Sequence, residues 1–123
     1  MRLPVRRPGF DRDRGMVTAE LAAAMPVVAV LTVFVIGVLV VGIDQIRCVD
    51  AARVGARALA RGDAADAVTT AIRSVAPAGA SVSLGGDDRT VTAWVRMVRS
   101  LPIGWGTFDI GATSTADREL ART

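Results

Sequence analysis

The longest uncharged run along the chain extends from Leu21 to Ile43. Nineteen of its 23 residues are Ala, Val, Ile, Leu, Met or Phe. As a helix this run spans roughly 35 Å, which is enough to cross the hydrocarbon core of a bilayer. A buried core helix is the alternative, but roughly 80 remaining residues are too few to surround a helix that is apolar on every face. The pattern therefore predicts a transmembrane helix.

The helical pattern continues beyond the apolar run. Residues 44–61 contain no Pro, and Gly62 followed by Asp63 predicts a helix stop and the cap of a new helix. Apolar residues at spacings of three and four predict a buried stripe made of Ile46, Val49, Ala52, Ala56 and Leu59. We therefore expect one helix from about Met16 to Arg61, roughly 69 Å long, half in the membrane and half projecting.

The rest of the chain changes from a helical period to a strand period. Residues 63–75 predict a second, amphipathic helix whose apolar face holds Val68, Ala71, Ile72 and Val75. After Pro77 and Gly79, alternating residues predict a β-hairpin with a turn at residues 85–88 and inward residues Val82, Leu84, Val91, Ala93, Val95 and Met97. A loop at 101–106 precedes a third strand over residues 107–116, with Phe108, Ile110 and Ala112 on one face.

These elements predict an α+β fold. A long N-terminal helix carries a small head of one further helix and a three-stranded antiparallel sheet. The head has a thin core, so the end of the long helix must pack against the sheet. The predicted organisation is a basic cytoplasmic leader (1–15), a transmembrane helix (16–43), its extracytoplasmic continuation (44–62) and the α+β head (63–123).

The net charge of +3 lies entirely in the first 15 residues, which hold five Arg and two Asp, while ten Arg and ten acidic residues cancel elsewhere. Pro4, Pro8 and Gly9 argue against a helix in this leader. We therefore expect an unstructured tail and not the folded basic face of a nucleic-acid-binding protein. The Arg bias favours a cytoplasmic N-terminus and an external C-terminus in a single-pass topology.

Residues suited to catalysis are sparse. The chain has no His, which removes the commonest general base and zinc ligand. Its carboxylates are scattered, no nucleophile–base set is visible, and Gly85-Gly86 is followed by neither the Lys nor the helix of a phosphate loop. We therefore expect no catalytic residue, enzyme activity, metal, cofactor, small-molecule substrate or nucleic-acid partner.

Three residues leave two interpretations open. The single cysteine, Cys48, suits either an intermolecular disulfide outside the cell or a small packed side chain. Trp94 and Trp105 suit either the head core and loop or anchors at a membrane interface.

The junction before the apolar run has a distinctive order of residues. Gly15 follows the basic leader, Met16 comes next, and the single carboxylate of Glu20 stands at the edge of the apolar helix. A secretory signal peptide fits poorly, because its apolar core is about 7–15 residues long. A lipoprotein signal also fits poorly, because Cys48 follows the run. A carboxylate near hydrocarbon is costly, although it also stabilises the first turns of a helix.

This junction resembles that of type IV prepilins, which a peptidase cuts after Gly on the cytoplasmic side. The resemblance implies that Gly15 ends the leader and that Met16 is the mature N-terminus, where the family usually has Phe. It also implies that Glu20 is the glutamate at mature position five, which pairs with the free α-amino group of a neighbouring subunit during assembly.

The segment Cys48–Gly62 is similar to the Ala- and Arg-rich stretch after the membrane helix in TadE-like proteins of high-GC Gram-positive bacteria. These are minor pilins or pseudopilins of tight-adherence (Flp-type IV) pilus systems. The resemblance implies a prepilin peptidase, a major Flp-type pilin, a companion minor pilin, a membrane assembly platform and membrane lipid as partners. The implied locations are the cytoplasmic membrane and a cell-surface pilus.

Two further points complete the prediction. Gly37 and Gly42 would allow transmembrane helices to pack closely during assembly. The alternative function is an uncleaved single-pass membrane protein whose extracytoplasmic head binds an envelope partner.

Overall fold

The computed structural model describes the backbone of residues 10–119 and the side chains of residues 15–119. Its elements are α1 (Phe10–Ala60), α2 (Ala65–Val75), β1 (Ser81–Gly86), β2 (Thr90–Ser100) and β3 (Thr107–Asp117), with a 3₁₀ turn at Pro102–Gly104. The strands form one antiparallel sheet in the order β1-β2-β3. The predicted α+β fold is confirmed. The chain divides into two compact units, residues 1–35 and 36–123.

Helix α1 begins at Phe10, so the expectation of an unstructured leader is wrong for residues 10–15. The physical reason is the position of the helix breakers. Pro4, Pro8 and Gly9 all precede Phe10, and no Pro separates Phe10 from the apolar run. Helix propagation therefore continues back to Phe10. The first nine residues of the predicted leader lie outside the described part of the chain.

In the first unit, the apolar side chains of α1 are exposed. Leu21, Met25 and Leu31 are each more than half exposed. Thr32, a polar residue in this stretch, donates its hydroxyl to the carbonyl oxygen of Val28 at 2.8 Å, which satisfies the hydroxyl within the helix. From Gly15 onward, α1 is long and apolar enough to cross a membrane.

Helix α1 ends at Ala60, one residue before the predicted end. Gly62 has a φ of +84°, and its N–H donates to the carbonyl of Leu59 at 2.9 Å. Gly62 therefore acts as the predicted stop. The prediction that Asp63 caps the second helix is wrong: its carboxylate accepts a hydrogen bond from Arg61 at 2.8 Å. Ala64 takes the N-cap position without a side-chain hydrogen bond.

The second half of α1 packs with α2 against one face of the sheet. The predicted inward face of β2 is confirmed, since Val91, Ala93, Val95 and Met97 are all buried. The shared core also includes Cys48, Ala51, Ala52, Ala58, Val68, Ile72 and Ile110. As predicted, the head needs the end of α1 to complete its core.

The predicted stripe on α1 is partly wrong. Ile46 is 63% exposed, and the buried face instead passes through Asp44, Cys48 and Gly55. Small residues face the sheet because the helix approaches it closely. A Cβ at Gly55 would lie 2.8 Å from Cγ1 of Ile72 and 3.0 Å from the Cβ of Ala93, closer than real Cβ atoms pack.

The predicted hairpin forms, but its turn is displaced. Gly85 and Gly86 belong to β1, and the turn begins at Asp87. Gly86 pairs with Val91 at a φ of +144°, which a larger residue would adopt only with strain. The Asp87 carboxylate accepts hydrogen bonds from the backbone N–H groups of Thr90 and Arg89 at 2.6 and 2.9 Å. These bonds lower the pKa of Asp87.

Candidate functional site

Three contacts show that β2 and the loop after it run antiparallel to the second half of α1. Gly55 approaches Ala93, Asp44 pairs with Arg99, and Gly37 lies against Leu101. As the residue number rises along β2, the contacting residue number falls along α1. The end of β2 and the loop after it therefore lie beside the C-terminal part of the apolar run on α1.

The middle contact is a largely buried ion pair. Asp44 is 4% exposed, and its Oδ2 accepts a hydrogen bond from Nε of Arg99 at 2.7 Å and another from Nη2. The side chain of Arg99 is 38% exposed. These charge-assisted hydrogen bonds join the helix to the sheet next to the C-terminal end of the apolar run. No local sequence pattern indicates it, because the two residues are 55 positions apart.

Strand β3 and the residues after it are tied to the same helix at two points. Near the middle of the strand, Gly111 accepts a hydrogen bond through its carbonyl from the side-chain amide of Gln45 at 3.0 Å. Just after its end, the backbone N–H of Glu119 donates to the carbonyl of Ala60 at 3.0 Å. These bonds hold the sheet along the second half of α1.

The two glycines predicted to pack against other transmembrane helices lie in different surroundings. Gly37 is buried, and a Cβ there would lie 3.3 Å from Cδ2 of Leu101 and 3.4 Å from Cδ of Pro102. The chain's own loop therefore occupies this surface. Gly42 is exposed, with no atom within 4 Å of the position of a Cβ. Of the two, Gly42 is the one open to a neighbouring helix.

The loop that contacts Gly37 presents apolar side chains outward. Leu101 is buried, and its N–H donates to the carbonyl of Gly106 at 2.9 Å, which closes the loop. Ile103 is 67% exposed and has a φ of +65°, an unusual conformation for a β-branched residue. Trp105 is 42% exposed.

One prediction about the next strand is corrected here. Phe108 lies on the predicted face of β3 with Ile110, but Phe108 is 47% exposed and does not join the core. It stands opposite Arg99 at the end of the ladder, beyond the part of the sheet that α1 and α2 cover with apolar side chains.

The residues of the predicted cleavage junction lie on α1 in the first unit. Gly15, Met16 and Glu20 are exposed, and among the described side chains no atom lies within 4 Å of the position of a Cβ on Gly15. They follow one another along a single helix.

Cys48 is fully buried and free. Burial raises the pKa of the Cys48 thiol, and the nearby negative charge of Asp44 raises it further. A protonated, enclosed thiol is a poor nucleophile and a poor partner for disulfide exchange. Its position favours the packed interpretation of the two that the sequence left open. Among residues 15–119, no cluster of three or more His, Cys, Asp or Glu residues is placed to hold a metal ion.

No protein-family model matches the chain. No solved structure matches it. The chain is similar to the Apoptosis inhibitor Rv3655c of Mycobacterium tuberculosis, with 40% identity over 105 residues, which are 85% of this chain and 79% of the relative. Any continuous stretch of 105 residues in this chain includes residues 19–105, and so contains the apolar run, α2, β1 and β2. The chain belongs to the same protein family as this mycobacterial protein.

Proposed function

We propose that this protein is a minor pilin or pseudopilin of a tight-adherence (Flp-type IV) pilus system. The observation that carries the proposal is the arrangement along α1. A basic leader, Gly15 and Glu20 precede an exposed apolar stretch, and the same helix then becomes the scaffold of a small α+β head. This arrangement suits a subunit that waits in the membrane and is drawn into an assembly through its N-terminal helix.

The proposed sequence of events begins with insertion. The Arg-rich leader stays in the cytoplasm, and the apolar stretch of α1 spans the cytoplasmic membrane with the head outside. A prepilin peptidase then cuts the peptide bond between Gly15 and Met16. The cut releases the leader and leaves a free α-amino group on Met16.

Glu20 then supplies the assembly contact. A carboxylate at the centre of a membrane helix costs about 2.5–3.5 kcal/mol on insertion scales, and less near its edge. Pairing with the α-amino group of a neighbouring processed subunit removes most of that cost. Gly42, on the open side of α1, allows close approach of a second helix. The proposed neighbours are the major Flp-type pilin and a companion minor pilin, gathered by the membrane assembly platform.

The name of the mycobacterial relative refers to inhibition of apoptosis by that protein. The identity covers at least residues 19–105, which include Glu20, the apolar run and most of the head.

Co-purification with the major pilin tests this function. The wild-type chain, Glu20→Ala and Glu20→Gln are expressed with the peptidase and the major pilin, and membrane extracts are probed for the complex. Asp66→Ala removes an exposed carboxylate on α2 and serves as the control. We expect normal membrane insertion of all four chains and loss of the complex only for the two Glu20 variants. Wild-type amounts of complex with Glu20→Ala would contradict the proposed role.

A further inference from the structure

The loop at residues 101–106 reaches the level of the apolar run. Leu101 and Pro102 pack on Gly37, which lies six residues before Ile43, the last residue of that run. Six residues of helix correspond to about 9 Å. The loop therefore extends past the outer end of the uncharged segment and lies beside it.

At this level the second unit exposes apolar side chains from three elements. Ile36 and Leu39 on α1 are 55% and 61% exposed, and Ile103, Trp105 and Phe108 are exposed on the loop and the start of β3. The loop itself holds no charged residue. The charged residues that flank the loop in sequence are Arg99, which pairs with Asp44, and Asp109, which alternates with Phe108 onto the other face of β3.

We propose that the loop at residues 101–106, together with Phe108, docks into the headgroup region of the outer leaflet. Ile103 and Trp105 then lie at the boundary between headgroups and acyl chains. The proposal rests on the membrane anchoring proposed above. Its support is continuity: the loop is packed on the helix that spans the membrane, at a level where that helix is still apolar.

The irregular backbone of the loop is compatible with the headgroup region of the bilayer and not with its hydrocarbon core. Peptide groups outside regular structure cannot be exposed to hydrocarbon without a large free-energy cost, whereas headgroups and water at the interface satisfy them. Tryptophan is also the residue type enriched at that depth. The loop therefore fixes how deeply α1 enters the bilayer.

This depth shifts the hydrocarbon-spanning segment toward the N-terminus. If the loop marks the outer interface, the span runs from Met16 to Ile36, not from Leu21 to Ile43. These 21 residues are about 31 Å long as a helix, close to the roughly 30 Å thickness of a hydrocarbon core. Gly15 then lies at the cytoplasmic edge, within reach of a membrane-embedded peptidase. Glu20 lies about 6 Å inside the core, which makes its need for a cationic partner stronger.

Tryptophan fluorescence provides a test, because the protein has two tryptophans and no tyrosine. A variant that keeps one tryptophan therefore reports on the surroundings of that residue alone. Trp94→Phe leaves Trp105 as the reporter in the loop. Trp105→Phe leaves Trp94, which packs over Gly85 on the sheet, away from the loop. Each full-length variant is reconstituted into vesicles of phosphatidylcholine and phosphatidylglycerol. The phosphatidylcholine is unlabelled, or brominated either near the top or near the end of its acyl chains, and quenching of tryptophan emission is measured.

We expect bromine near the top of the acyl chains to quench Trp105 strongly, bromine near the chain end to quench it less, and Trp94 to be quenched by neither. Equal, weak quenching of both tryptophans would overturn the proposal and leave the loop to water or to a protein partner. Met25→Trp, next to the middle of the Met16–Ile36 span, in a chain with both native tryptophans replaced by Phe tests the anchoring separately. If this reporter is quenched by deep bromine while Trp105 is not, only the loop docking fails. If the Met25→Trp reporter also escapes quenching, the membrane anchoring itself fails.

Discussion

Asp44 on α1 and Arg99 on β2 form a largely buried ion pair that joins the helix to the sheet. Two guanidinium nitrogens, Nε and Nη2, donate to the same carboxylate oxygen of Asp44. The pair lies between the apolar core around Ala93 and the loop contact at Gly37. It therefore holds the end of the sheet nearest the apolar run of α1.

Replacing Arg99 by Met should destabilise the head by about 2 kcal/mol. The change leaves the carboxylate of Asp44 enclosed without its partner, and the partial exposure of Arg99 reduces the cost below that of a fully buried pair. The measurement is the free energy of unfolding in detergent, followed by circular dichroism. Arg53→Met is the control, because Arg53 and Asp50 form an exposed pair at 4.0 Å, worth about 0–0.5 kcal/mol. Equal effects of the two substitutions would show that burial of Asp44 contributes nothing.

The sequence predicted the sheet well for a physical reason. Strand β2 is half-buried, and its side chains alternate between the core and the outer face, so the period of two is visible in Val91, Ala93, Val95 and Met97. The helix stop at Gly62 was equally visible, because a positive φ at the C-terminus of a helix favours glycine.

The buried face of α1 cannot be predicted from the sequence pattern in the same way. Side-chain hydrophobicity favoured Ile46, whereas close packing requires small residues such as Gly55 and tolerates Asp44 only because Arg99 reaches it. The partner of Asp44 is 55 residues away, and the contact of Gly37 with the loop is equally long-range. Neither contact produces a periodic pattern in the local sequence from which it could be predicted. The exposed positions of Phe108 and of the loop depend on where the core ends, which is a property of the assembled head.

Gly55→Ala should destabilise the head by about 1–3 kcal/mol, because the added methyl group overlaps Ile72 and Ala93 in a closely packed core. Gly42→Ala is the matched control on the same helix. It adds a methyl group in open space, and its higher helix propensity should leave stability unchanged or raise it by up to about 1 kcal/mol. Thermal unfolding of both variants in one detergent gives the comparison. A Gly55→Ala variant as stable as Gly42→Ala would contradict the close approach of helix and sheet.

The thiol of Cys48 should make the head less stable in alkali. Folding raises the pKa of Cys48 above its ordinary value of 9.0, since the buried site disfavours the thiolate. The corresponding stabilisation is complete below the pKa of the unfolded chain and is lost as the pH rises through the higher pKa of the folded chain. Alkylation of Cys48 by iodoacetamide should therefore be slow in the folded protein and rapid after denaturation.

A Cys48→Ala variant provides the comparison, because it should lose this part of the alkaline dependence while keeping the small packed side chain. Rapid alkylation of native Cys48 at neutral pH would contradict its enclosure and would reopen the interpretation of an intermolecular disulfide.

Processing at Gly15 should depend on the size of the residue there. Gly15→Ala adds one methyl group and should be cut at least in part, whereas Gly15→Trp should keep its leader. Gly15 is exposed, and no atom of the described side chains lies within 4 Å of the Cβ position there, so both variants should insert and fold like the wild type. Full processing of Gly15→Trp would remove Gly15 from the account.

The intact mass and N-terminal sequence of the membrane-extracted wild-type chain, after expression with an active prepilin peptidase, show whether the protein is processed like a pilin. We expect a mature protein that begins at Met16 and has lost residues 1–15. The same chain expressed without the peptidase should keep them. A leader retained in the presence of a peptidase that processes the major pilin would contradict the account and favour an uncleaved membrane protein with an envelope-binding head.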